Sequence, residues 1–194
     1  MANSRRAQAK TKRTITKKKT TRIKVDVKGK PGKKTFKRFW VATGIILLPL
    51  VVGLTATALT GNAMMVFGEL NQPPLAPPAW LFPVAWTILY ILMGVACYLI
   101  YRLEPKTKDE QKLQGAEIIV YFAQLFFNFM WTLIFFALNA RWFALGWLII
   151  MWLMVFVLIF MCVKNNKVAA WCLVPYILWC TFATYLNAMI AILN

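Results

Sequence analysis

No histidine occurs anywhere in the 194 residues, and only six are acidic. The first absence removes the commonest general acid–base group and the commonest haem ligand. The four cysteines, Cys97, Cys162, Cys172 and Cys180, form no CxxC pair and lie inside apolar runs, so they read as small packing residues and no metal site is expected. Glu117 falls near one end of its apolar segment and every other charge lies in a loop or tail. A proton- or ion-coupled carrier keeps an ionisable group at mid-membrane, so coupled transport is disfavoured. Ordinary acid–base catalysis has no obvious actors.

What is abundant is apolar surface: 60% of the chain is hydrophobic, although its beginning is strongly basic. Residues 1–38 hold 16 of the 23 Lys and Arg and one acid, about +15, and the remainder holds 7 basic and 5 acidic residues, about +2. Few large apolar residues and no helical stripe occur in that basic stretch, which therefore reads as a disordered cytoplasmic tail, followed by a membrane domain over 39–194. Its expected role is to set topology and to lie against anionic lipid, each basic residue near the surface contributing about 1 kcal/mol. No aromatic residue precedes Phe36, so stacking on bases is absent and no specific nucleic-acid recognition is expected. Its Arg, Lys, Ser and Thr content also resembles an organelle transit peptide, without the amphipathic pattern of one.

Five apolar segments follow, Phe39 to Thr60, Trp80 to Tyr101, Gly115 to Leu138, Trp142 to Val163 and Val168 to Leu193. Each is near the roughly 20 residues that a helix needs to cross the hydrocarbon core, which predicts an all-α integral membrane protein, a bundle of five transmembrane helices. Ala56-Thr57-Ala58 resembles a cleavage site, but the apolar run before it is too long for a signal peptide, and it is kept as a span. With the N-terminus cytoplasmic, Arg102, Lys106, Lys108, Lys112, Lys164 and Lys167 all fall inside and only Arg141 outside, as the positive-inside rule requires. The C-terminus is then outside. The first loop, Gly61 to Ala79, is external, and Pro73, Pro74, Pro77 and Pro78 stiffen it into a cap.

Three helices carry aromatic and amide residues at helical spacing. Gln124, Asn128, Trp131 and Phe135 occupy one face of the third, Tyr176, Trp179, Ala183 and Asn187 one face of the fifth, and Trp86, Tyr90, Met93 and Cys97 one face of the second. Trp80 stands at the start of the second helix beside the proline loop. Amides inside a bilayer need partners, which neighbouring helices or a ligand can supply, so spacing alone leaves helix packing and a ligand cavity both open. The Met151, Met154 and Met161 stripe reads as gap filling.

The segments PPAWLFPVAWTILYILMG at 77–94, QLFFNFMWTLIFF at 124–136 and VPYILWCTFATYLN at 174–187, in this order, resemble the TspO/MBR family of tryptophan-rich sensory and translocator proteins over residues 39–194. The resemblance implies a five-helix bundle, usually a homodimer, that binds porphyrins such as protoporphyrin IX and benzodiazepine-site ligands in a pocket capped by the first loop. Carried over by motif, the ligand-binding positions are Trp80, Asn128, Trp131, Phe135, Trp179 and Ala183, with Trp86 and Asn187 beside them. Two departures stand out. Val66-Phe67 replaces an aromatic pair in many relatives, and no basic residue follows Tyr185, so cholesterol handling is doubtful.

The expected function is a membrane sensor or carrier for porphyrins and similar flat aromatic ligands, with no cofactor required. The alternative that the resemblance suggests is light- and oxygen-dependent porphyrin breakdown, with Trp80 and Trp179 as candidate reacting residues. A structural partner protein acting through helix faces is the third reading. The chain fits a bacterial cytoplasmic membrane, with a eukaryotic organelle membrane as the other candidate.

Overall fold

The computed structural model describes residues 33–61 and 63–194, so most of the basic tail lies outside the described residues. Five long helices carry the chain: α1 (Lys33–Thr60), α3 (Leu81–Tyr101), α4 (Lys108–Thr132), α5 (Arg141–Asn165) and α6 (Lys167–Leu193), with a short α2 (Ala63–Glu69) in the first loop. All five are long and apolar enough to span a bilayer. Residues 37–194 form a compact unit.

Local chemistry sets the helix ends. The Thr107 side chain accepts from the Glu110 amide (3.1 Å) and the Glu110 carboxylate accepts from the Lys106 amide (2.7 Å), so α4 begins well before the apolar run at Gly115. Asn166 is extended, and its side chain accepts from the Ala169 amide (3.2 Å), so this one residue both ends α5 and caps α6. The Gln114 amide donates to the Ile100 and Leu103 carbonyls (2.8 and 3.1 Å), satisfying groups that the end of α3 leaves free. Pro83 sits in the first turn of α3, where a missing amide hydrogen costs little.

Beyond Thr132 the helix loosens into a π turn, Leu133–Ala137, closed by the Leu138 amide donating to the Leu133 carbonyl (3.0 Å). The extra residue in that turn shifts the register and brings the adjacent Phe135 and Phe136 toward the same interior. The first loop is tied to the end of α6. Asn71 and Asn194 bond each other reciprocally, the Asn71 amide to Asn194 Oδ1 (2.9 Å) and Asn194 Nδ2 to the Asn71 carbonyl (3.2 Å). Tyr185 donates to the Pro74 carbonyl (2.7 Å) and the Gln72 amide to the Phe67 carbonyl.

Helices α3, α4, α5 and α6 pack against one another around Met93, Tyr121, Leu148, Met151, Leu158, Leu173 and Tyr176, all fully buried. Helix α1 stands apart and exposes Leu47, Val51, Leu54 and Leu59 to the surroundings. It touches α3 closely where Gly94 lies: a Cβ there would fall 2.0 Å from the Ile46 carbonyl oxygen. Gly53 makes the second approach, with the Tyr90 ring 2.1 Å from the place of a Cβ. Backbone cannot swing aside as a side chain can, so Gly94→Ala is expected to destabilise the bundle by about 1–3 kcal/mol. Gly115→Ala, which meets nothing within 4 Å, is expected to be neutral or stabilising. Thermal unfolding of the two variants in the same detergent measures the difference, and equal midpoints would rule out the close crossing.

Candidate functional site

Because α1 meets the bundle through small residues and is otherwise held off by bulk, a cavity of about 450 Å³ remains between α1, α2, α3, α4 and α6. Helix α1 supplies Leu50, Gly53, Leu54, Thr57 and Thr60, the first loop Gly61, Met65 and Phe67, and α3 Phe82, Pro83, Trp86, Thr87 and Tyr90. The end of α4 adds Trp131, Thr132, Phe135 and Phe136, and α6 adds Ala183, Leu186, Asn187 and Ile190. Exposed Leu54, Met65 and Thr87 place the mouth between α1 and α3, below α2.

The aromatic wall is continuous. Trp86 stacks on Tyr90 (5.3 Å between ring centroids), Trp131 on Phe135 (5.6 Å), and Phe67 meets Phe82 edge-on (4.7 Å). No wall residue carries a charge. The polar groups are also largely committed. Thr57, Thr60, Thr87 and Thr132 each donate to a carbonyl of their own helix, at 3.0, 3.1, 2.7 and 3.3 Å, so their hydroxyls can offer a ligand lone pairs but no proton. The Trp131 indole donates to Asn187 Oδ1 (3.1 Å), and Asn187 Nδ2 donates to the Arg141 carbonyl (2.9 Å).

Beneath this wall, Tyr90 donates to Asn128 Oδ1 (2.8 Å), Asn128 Nδ2 donates to the Tyr176 hydroxyl (3.1 Å), and Tyr176 donates to Gln124 Oε1 (3.0 Å). Three helices are joined by these bonds, and Gln124, Asn128 and Tyr176 are all at most 1% exposed.

Of the eight expected positions, Trp86, Trp131, Phe135, Ala183 and Asn187 lie in the cavity wall. Asn128 lies behind it, both ends of its amide engaged by tyrosines. Trp179 is likewise behind, edge-on to Phe82 (6.0 Å) and Trp86 (6.3 Å), its buried indole N–H without a partner among the described residues. Trp80 precedes the first wall residue of α3 and is 64% exposed, the place of an interfacial tryptophan and not of a cavity residue. Among the four loop prolines none reaches the cavity, whose cover is α2 with Met65 and Phe67.

The contribution of α1 was not foreseen. Its one signal in sequence is the small, hydroxyl-bearing set Gly53, Thr57 and Thr60 at i, i+4 and i+7 in an otherwise bulky helix. Phe67, read as part of a lost aromatic pair, is itself in the wall.

Five spanning helices with an uncharged aromatic cavity among them define a polytopic membrane protein. Residues 45–193 match the TspO/MBR family, and the chain belongs to it. It is 34% identical to the tryptophan-rich sensory protein of Cereibacter sphaeroides over 145 residues, 73% of this chain and 87% of that one. Similarity extends to the translocator protein of Bos taurus, at 30% over 76% of this chain and 87% of that protein, and to the translocator protein homolog of Schizosaccharomyces pombe, at 37% over 64% and 74%.

Removing the Asn128 amide orphans the Tyr90 hydroxyl and takes away a donor to Tyr176. Asn128→Leu is therefore expected to lower stability by about 1–2 kcal/mol, read from thermal unfolding in detergent. A variant as stable as the parent would place the amide outside the network.

Proposed function

We propose that this protein is a membrane receptor or carrier that binds porphyrins and similar flat aromatic molecules in the cavity between α1 and the bundle. The observation that carries this reading is the uncharged wall of Phe67, Phe82, Trp86, Trp131, Phe135 and Phe136 around about 450 Å³, inside the range of about 300–1,000 Å³ usual for small-molecule sites. Offset and edge-on ring contacts favour a planar π-system. With no cation in the wall, the macrocycle lies inside and its carboxylates stay at the mouth by Leu54, Met65 and Thr87. In this reading the N-terminus of α1 is cytoplasmic, on the side of Lys106, Lys108, Lys112, Lys164 and Lys167, and the basic tail lies against anionic lipid.

Tryptophan fluorescence of the detergent-solubilised chain, titrated with protoporphyrin IX in darkness and corrected for inner-filter absorption, tests the proposal. Saturable quenching is expected. Ala183→Phe places a ring in the cavity and is expected to raise the Kd at least tenfold, about 1.4 kcal/mol. Trp80→Phe, outside the wall, is expected to change it less than about twofold. Quenching that never saturates, or an Ala183→Phe affinity equal to the parent's, would sink the assignment. A new product formed only under illumination would favour the enzymatic reading, with Trp80→Phe and Trp179→Phe separating which indole reacts.

A further inference from the structure

The hydrogen bonds beneath the cavity all run one way. Tyr90 donates to Asn128, Asn128 to Tyr176 and Tyr176 to Gln124, and atom types fix each direction because an amide oxygen only accepts and an amide nitrogen only donates. The Tyr176 hydroxyl also passes 3.6 Å from the Met151 sulfur, a weaker acceptor. The series leaves the cavity wall at Tyr90 and descends the inner face of α4, where Asn128, Gln124, Tyr121 and Glu117 follow at helical spacing.

Below Gln124 the bonding stops, although the polar groups do not. Gln124 Nε2, the Tyr121 hydroxyl and Glu117 Oε2 are successive on this face, belong to side chains that are 0% exposed, and have no nitrogen or oxygen partner among the described residues. Two thiols lie beside them: Cys97 shares a weak side-chain hydrogen bond with Tyr121, and Cys162 is near Glu117. The other Glu117 oxygen accepts one long bond from Asn165 Nδ2 (3.4 Å). A donor without a partner, a hydroxyl engaged only by a thiol and an unpartnered carboxyl oxygen, in that order, are what a file of bound water requires at its ends and middle.

We propose that α4 holds an internal water site running from Gln124 past Tyr121 to Glu117, which completes a one-way hydrogen-bond chain from the cavity wall to a buried carboxyl at the opposite end of the bundle. The ligand of this site is water, held by groups that would otherwise be buried without partners. Its consequence is a link between two places in the protein. A molecule in the cavity that displaces the Tyr90 ring draws its hydroxyl from Asn128 and withdraws the first donor of the chain, and each bond below it is polarised less. The inference does not depend on which molecule the cavity accepts.

Infrared difference spectra of the full chain in phosphatidylcholine vesicles test this, with glutamate ¹³C-labelled at the carboxyl. The Glu117 stretch is the band that Glu117→Gln removes. Bound-water O–H bands that shift in H₂¹⁸O are expected in the parent and expected to be lost in both Glu117→Gln and Tyr121→Phe. The Glu117 band itself is expected to shift in Tyr121→Phe, in Gln124→Met and in Tyr90→Phe, which lies at the far end. These substitutions keep size close, and circular dichroism confirms that each variant used is folded. No ¹⁸O-sensitive band that depends on Glu117 or Tyr121 would overturn the water site. A Glu117 band that moves with Tyr121→Phe but not with Tyr90→Phe would overturn the chain to the cavity.

Discussion

Asn128 joins three helices in surroundings where bulk water cannot replace a missing partner, and the arrangement of the bundle follows from it. Its carbonyl fixes Tyr90 of α3 and its amino group fixes Tyr176 of α6, so these helices must present those positions to α4 at one level. In hydrocarbon a mismatch by one residue would leave a hydroxyl and an amide unpaired, a cost that a purely apolar interface does not impose. Tyr90 then does two things at once. Its hydroxyl belongs to the network and its ring belongs to the cavity wall, stacked on Trp86.

The cavity is the complement of that rigid interior. Helix α1 carries no amide that could join the network, and among its described polar side chains Thr43, Thr55, Thr57 and Thr60 bond within the helix itself. Its close approaches to the bundle lie at Gly94 and Gly53, where backbone or ring comes closer than a Cβ would permit. Above those crossings the bulk of Phe82, Trp86 and Phe136 keeps α1 away and leaves space. The first loop covers one end of that space because its far side is tied to α6 through Asn71, Asn194 and Tyr185. Leu75, next to the Tyr185 contact, adopts a left-handed backbone (φ 70°) that a leucine holds only where its neighbours fix it.

The five helices were legible because a spanning helix writes itself in length and hydropathy, and the helix faces were legible because 3.6-residue spacing survives in the fold. Gln124, Asn128, Trp131 and Phe135 are all buried as their spacing implies. Two kinds of information were not local. Which of two buried aromatics stands in front of the other is decided by the partner helix, so Trp86 and Trp179, on faces that read alike, end in front of and behind the wall. One helix start was misplaced where a polar first turn precedes the apolar run: α4 begins at Lys108 and not at Gly115, since hydropathy does not see the cap at Thr107. The π turn after Thr132 was illegible for a related reason: one extra residue in a turn leaves no mark on composition, yet it brings both Phe135 and Phe136 to the cavity.

The committed state of the polar groups limits what the cavity can select. Four threonine hydroxyls donate to carbonyls of their own helices, the Trp131 indole donates to Asn187, and Asn187 donates to the Arg141 carbonyl. What remains is π-face, aliphatic surface and a few acceptor lone pairs, without a fixed charge or a bidentate fork. Such a wall discriminates by thickness and planarity far better than by the pattern of a ligand's polar edge, because a wrong polar edge here leaves few protein groups unpaired. It also admits a ring that carries its own N–H donors more readily than one that needs donors from the protein. On the porphyrin reading proposed above, selectivity within a planar class arises at the mouth, where the ligand's carboxylates would meet water and lipid headgroups.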